Sequence, residues 1–125
     1  MKIKEITFER ITFDDGSYIW FDHEQDCCEI NYADFNYLAE DGDILNYEFN
    51  EWLCFESVNK SGFRFGDNYR MWFCPCYSEQ NGYYTDQIDI YYTKNGNTKQ
   101  MLNFKRVRRE LPGALAPWDE SSLSQ

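Results

Sequence analysis

The chain opens on alternation. In "ITFERITFDD", Ile6, Phe8 and Arg10 interleave with Thr7, Glu9 and Ile11 before Phe13, the period-two pattern of a strand with one buried face. The turn residues "DDGS" and the apolar "YIWFDH" follow, which predicts a β-hairpin around Asp15 and Gly16. "EINYADF" reads as a third strand, and "ADFNYLAEDG" as one short helix with Asp34 as N-cap and Gly42 near its end. "ILNYEFNEWLCFESV" alternates well enough for a long strand, and "KSG" or "FGDN" would turn the chain into "YRMWFCPCYS". Asn81-Gly82 is the strongest short turn signal and predicts a hairpin from that strand into "YYTDQIDIYYTK". "KNGN" closes the next turn, and "KQMLNFKRVRREL" reads as a last strand or a short helix. The expected fold is α+β and predominantly β: a single antiparallel sheet of about six strands, curved or partly closed, with one short helix.

With 125 residues, 42% of them hydrophobic and 19% aromatic, the chain has the size and apolar content of one packed domain. Residues 1–111 are expected to form it. Residues 112–125, "PGALAPWDESSLSQ", read as an irregular tail in which only Trp118 would dock. The alternating N-terminal stretch resembles neither a signal peptide nor a spanning helix, so the expected location is cytoplasmic. Five cysteines, two of them adjacent at Cys27 and Cys28, suit reduced thiols better than a disulfide framework.

Charge sharpens this picture because it is uneven. Residues 9–56 hold fourteen acids against one base, Arg10, whereas residues 57–125 hold seven acids and nine bases. At a net charge of −10, direct binding to nucleic acid or to an anionic membrane is disfavoured. The acidity either keeps an aromatic-rich domain soluble or presents a surface to a protein partner with a basic face. The basic stretch "KRVRR", Lys105 to Arg109, would pair with the acidic half or with a second copy in a homodimer.

Chemistry concentrates in "DHEQDCCEIN", which holds the one histidine of the chain. His23, Cys27 and Cys28 are competent zinc ligands, and Cys74 and Cys76 offer two more. The spacing argues against such a site: adjacent cysteines in a strand point to opposite faces, and Pro75 between the other two suggests an edge or a bulge. A cysteine nucleophile with His23 as base and Asp22 or Asp26 as orienter is opposed by the surrounding carboxylates, which raise a thiol's pKa. The plainer reading puts one of Cys27 and Cys28 in the core, with Asp26 and Glu29 bonded to backbone donors at a turn. No cofactor is expected.

The same residues carry a resemblance. His23, Asp26, Cys27, Cys28 and Glu29, after an alternating strand pair, resemble the H-x-x-D-C-C-E signature of an uncharacterised domain family found in bacteriophages, prophages and their hosts. Tyr77 to Tyr84, with Asn81, Gly82, Tyr83 and Tyr84 at its end, is similar to the second motif of that family, a Y-G-x-S-N-G-Y-Y hairpin. Ser78 and Gln80 depart from it, where Gly and Ser are expected. The resemblance covers roughly residues 8–90 and implies a small phage- or mobile-element-encoded protein without an established activity. If both hairpins lie in one sheet, the two motifs would share an end, with Tyr83 or Tyr84 over His23 or the cysteines.

Three function classes follow. The first is an acidic interaction protein that binds and inhibits or redirects a host protein, an anti-defence factor being one form. The second is a small-molecule binding or sequestering domain that uses the His23, Cys27, Cys28 and Tyr83 end of the sheet. The third and least favoured is a thiol- or zinc-dependent enzyme, for which the chain lacks the second histidine of a usual zinc hydrolase. The sequence alone favours the first.

Overall fold

Ile11, Phe13, Ile19 and Phe21 are at most 4% exposed, whereas Thr12, Tyr18 and Trp20 between them are half-buried on the opposite face. The alternation therefore marks real strands. β1 (Ile3–Ile6), β2 (Arg10–Phe13) and β3 (Tyr18–Asp22) form an antiparallel meander. The computed structural model describes residues 1–22, 29–59, 61–80, 87–105 and 108–110, without the side chains of 29, 30, 78–80, 87, 104, 105 and 108–110.

β4 (Glu29–Ala33), β5 (Cys54–Val58), β6 (Gly62–Gly66) and β7 (Met71–Gln80) follow, then β8 (Gln87–Lys94), β9 (Asn97–Lys105) and β10 (Arg108–Glu110). One sheet has the order β1-β2-β3-β8-β9; the other has β10-β7-β6-β5, with β4 also paired to β7. Every pairing is antiparallel except β10 on β7. The predominantly β reading holds, and the helical content among the described residues is a 3-10 turn at Phe35–Leu38 and a single α-helical turn, α1 (Gly42–Leu45).

The single sheet of about six strands is corrected to two sheets. Alternation records which face of a strand is buried and not which strand lies beside it, so a partition into layers leaves no mark in the pattern. Their inner faces meet in one aromatic core. Phe13 lies edge-on to Phe49 at 5.5 Å, Phe49 stacks on Phe65 at 6.1 Å, and Phe55 of β5 meets Tyr92 of β8 at 6.4 Å. Phe13, Phe35, Phe49, Phe63 and Phe65 are no more than 1% exposed. Each buried ring contributes about 1.5–3 kcal/mol relative to exposure, which makes this cluster the main source of cohesion.

Other expectations are corrected locally. "ITFERITF" is two strands rather than one: Thr7 accepts the Arg10 N–H on Oγ1 at 3.2 Å and donates its own N–H to the Arg10 carbonyl at 2.9 Å, closing a tight turn. Gly42 opens α1 instead of ending a helix, because the Asp41 carboxylate caps the N–H groups of Asp43 and Ile44. Asp34 precedes the 3-10 turn without a side-chain cap bond. The long strand from Ile44 shrinks to β5, since Ile44 enters α1 and residues 46–53 are irregular.

The hairpins at Asp15-Gly16 and Asn95-Gly96 form as read, with φ of 89° at Gly16, 53° at Asn95 and 78° at Gly96. Asn81-Gly82 lies outside the described residues, but the strands on either side of it, β7 and β8, belong to different sheets and do not pair.

Pro75, expected at an edge or bulge, lies in the middle of β7. Up to Pro75 the strand pairs with β6, and from Cys76 onward it pairs with β4. The missing N–H thus falls where one partner hands over to the next, while the Pro75 carbonyl accepts from Asp34 N at 2.8 Å. Opposite it, Gly62 allows the close approach, as an added Cβ there would lie 2.2 Å from the Cys74 carbonyl oxygen.

Candidate functional site

The two motifs leave the described strands at neighbouring points. Asp22, the last residue before the first motif, pairs with Asp89 of β8; Glu29, at its far side, pairs with Gln80, the last residue before Asn81. The flanks of both motifs are thus gathered by backbone pairing, although through two sheets and not the one sheet expected. Asn103 of β9 donates its amide to the Asp89 carboxylate at this end. Burial, followed by Asp89 and Asp22, pushes the Tyr91 hydroxyl above its ordinary pKa. His23, Asp26, Cys27, Cys28, Asn81, Gly82, Tyr83 and Tyr84 lie outside the described residues, as does the side chain of Glu29.

Cys74 and Cys76 are described, and both are buried in the core, at 0% and 3% exposure. Residues two apart on a strand share a face, which here is the inner one. The Cys74 thiol makes a weak contact to the Pro75 carbonyl at 3.8 Å, and burial, reinforced by Cys76 and Asp34, pushes its pKa well above 9.0. A thiol held neutral in an apolar core is neither a ready nucleophile nor a ready metal ligand. Among the described residues, no three His, Cys, Asp or Glu side chains gather in a way that could hold a metal ion.

The most organised polar feature lies at the opposite end of β7. A ten-residue strand spans about 30 Å, and the turn before its first residue is built on Asp67, which is 2% exposed. Its Oδ1 accepts from Tyr69 N at 2.9 Å and Arg70 N at 3.1 Å, the signature of an Asx-type turn. Oδ2 accepts from Asn50 N at 3.1 Å, and the Tyr47 hydroxyl reaches both oxygens. Burial alone would raise the pKa of Asp67; the bonds from Tyr69, Asn50, Tyr47 and Arg70 outweigh it and hold the carboxyl below its ordinary value. One buried anion thereby ties the 67–70 turn to the 47–52 segment. Asn50 adds a second tie, donating its amide to Asn68 Oδ1 at 2.7 Å and accepting from Trp52 N at 2.8 Å.

This clamp displays rings to solvent. Trp52 is 68% exposed and Tyr69 81%, on two loops bonded to one another, and Leu45 of α1 is also exposed. The surrounding 34–51 segment is rich in carboxylates. Asp43 pairs with Arg70 at 3.1 Å and Glu48 with the Met1 amine at 2.6 Å, while Glu40, Asp41 and Glu51 meet no cation within 4 Å among the described residues. The arrangement joins an apolar centre to net negative charge on a rigid base. Sequence reading located the acidity but missed Trp52, Tyr69 and Asp67, for which "GDNYR", an aspartate two positions before an aromatic in a tight turn, was the available signal.

No protein-family model matches the chain, nor does any curated protein or solved structure. Among the described residues, no helix is long and apolar enough to cross a membrane.

Proposed function

We propose that this β domain is a cytoplasmic interaction protein that binds a basic face on another protein and inhibits or redirects it. The observation that carries the reading is the clamped patch: exposed Trp52 and Tyr69 on bonded loops, in an acidic stretch whose Glu40, Asp41 and Glu51 meet no cation within 4 Å among the described residues. Tryptophan and tyrosine dominate binding hot spots, and rings held on fixed loops lose little entropy on association. Acidic surroundings add speed and selectivity toward a basic partner. The phage or mobile-element setting, with an anti-defence role as one form of it, rests on the resemblance of the His23 to Glu29 and Tyr77 to Tyr84 motifs.

The test is affinity capture from a bacterial lysate with wild type and the Trp52→Ala/Tyr69→Ala double variant side by side. A basic protein retained by wild type, lost by the double variant, and associating more slowly as salt rises supports the reading. Retention unchanged by the double variant, or insensitive to salt, rejects it.

A second reading, small-molecule binding near the two motifs, draws on the pairing of Glu29 with Gln80 and of Asp22 with Asp89. Thermal stabilisation by a metabolite, abolished by Tyr83→Ala, would mark it.

A further inference from the structure

The outer face of the first sheet carries chemistry that the proposed partner surface does not use. Arg10, Trp20 and Tyr91 lie directly opposite one another across β2, β3 and β8. Two residues from Trp20 on β3, and so on the same face, Tyr18 lies beneath the Arg10 guanidinium at 4.5 Å from its ring centroid. Arg10, Tyr18, Trp20, Glu9 and Phe21 line an open groove of about 390 Å³, within the range of small-ligand sites.

Three features make this groove more than a dent between side chains. Trp20 is fixed: its indole N–H donates to Thr93 Oγ1 at 3.0 Å, Thr93 is bonded to Thr98 at 2.8 Å, and one indole face stacks on Tyr91 at 4.7 Å. Trp20 lines the groove and Tyr91 does not. Arg10 is unspent. Arg64 and Arg70 sit 2.6 and 3.1 Å from carboxylates, whereas Arg10 meets none within 4 Å among the described residues, in a chain of net charge −10. Glu9 also lines the groove and brings a carboxylate, a hydrogen-bond acceptor.

We propose that this groove binds a small anion carrying a planar ring with N–H donors. The ring stacks on the Trp20 indole, the anionic head takes the Arg10 guanidinium, and an amino N–H carried by the ring donates to Glu9. A planar guanidinium already oriented over Tyr18 is suited to a forked contact with a carboxylate or a phosphate. Two sources share this chemistry, a nucleotide and an aromatic carboxylate. The overall negative field favours the one with fewer charges.

The test follows the Trp20 indole N–H resonance in ¹⁵N-labelled full-length protein, assigned with Trp20→Phe, during titration with AMP and with 2-aminobenzoate. Adenosine, aniline and inorganic phosphate serve as the corresponding fragments. Saturable shifts from at least one intact anion are expected, with the ring-only and phosphate-only fragments at least about tenfold weaker, because a charge-assisted contact or a stacked ring is lost. Arg10→Ala should weaken that anion by about tenfold, Arg10→Lys should recover part of the loss, and Arg64→Ala should change nothing. Binding of AMP alone assigns a nucleotide, and binding of 2-aminobenzoate alone assigns an aromatic carboxylate. No saturable shift from either anion, fragments as tight as the intact anions, or affinity indifferent to Arg10→Ala would each overturn the proposal.

Discussion

The Tyr47 hydroxyl lies 2.8 and 2.9 Å from the two carboxylate oxygens of Asp67, bridging twenty residues of chain between the irregular 46–53 segment and the β6–β7 turn. With the N–H groups of Asn50, Tyr69 and Arg70, that hydroxyl completes a shell of four donors around a buried anion. Asp67→Ala leaves these donors without their acceptor and should cost about 2–3 kcal/mol, read as a lower urea midpoint at unchanged slope. Exposed Trp52 makes the contrast: Trp52→Ala should stay within about 0.5 kcal/mol.

The same shell sets a pH dependence. The native pKa of Asp67 is lowered, so the unfolded chain takes up its proton first as pH falls. The contribution of Asp67 is therefore fully present above the ordinary value of 3.8 and is lost as pH drops through the lowered native value. The stability gap between wild type and Asp67→Ala should be constant from pH 7 to about 5 and should narrow below about pH 4. A gap that persists unchanged at the acid end would place the contribution in packing instead.

Gly62 and Gly42 should respond oppositely to alanine. A Cβ at Gly62 would stand 2.2 Å from the Cys74 carbonyl oxygen and 2.9 Å from Pro75 Cα, both backbone atoms that cannot swing aside. Gly62→Ala should destabilise by about 3 kcal/mol or more, or yield little soluble protein. At Gly42, in the first turn of α1, nothing lies within 4 Å of the added carbon. Gly42→Ala should stabilise by about 0.4–1 kcal/mol in thermal melts.

Much of the β character was legible because it depends on local signals. The alternation of Ile11, Phe13, Ile19 and Phe21 and the turn residues at Asp15-Gly16 and Asn95-Gly96 act over a few positions, and the structure obeys them. Layering was not legible. Asn81-Gly82 carries a strong hairpin signal, yet β7 and β8 are committed to different neighbours, Phe65 opposite Trp72 on one side and Trp20 opposite Tyr91 on the other. Such pairing is decided by contacts distant in sequence, to which a dipeptide is blind. The candidate surfaces divide in the same way. Acidity was visible as composition, whereas the Asp67 clamp and the Arg10–Trp20 groove arise only when residues far apart in the chain are brought together.

Cysteine reactivity should separate by burial. Cys54 is exposed on β5, while Cys74 and Cys76 are enclosed, with the Cys74 thiol held neutral by its surroundings. Iodoacetamide at pH 8 should label Cys54 within minutes and reach Cys74 and Cys76 only after urea unfolding, as resolved by peptide mass mapping. Rapid labelling of Cys74 in the native protein would contradict its place in the core.

Trp72 offers a sharper probe of the interior. It is 6% exposed, meets Tyr47 edge-on at 4.9 Å and lies under the Arg70 guanidinium at 4.5 Å, yet its indole N–H finds no acceptor among the described residues. An unmatched buried donor costs about 1–3 kcal/mol, which offsets part of what the large ring gains by burial. Trp72→Phe removes that donor while keeping an aromatic ring against Tyr47 and Phe49, so the lost area and the relieved penalty should nearly cancel. The expected change is within about 1 kcal/mol, against about 3–5 kcal/mol for Trp72→Ala, where the whole ring is replaced by a cavity. Urea denaturation of the two variants decides the matter: a phenylalanine substitution nearly as costly as alanine would mean that the indole N–H is satisfied in solution.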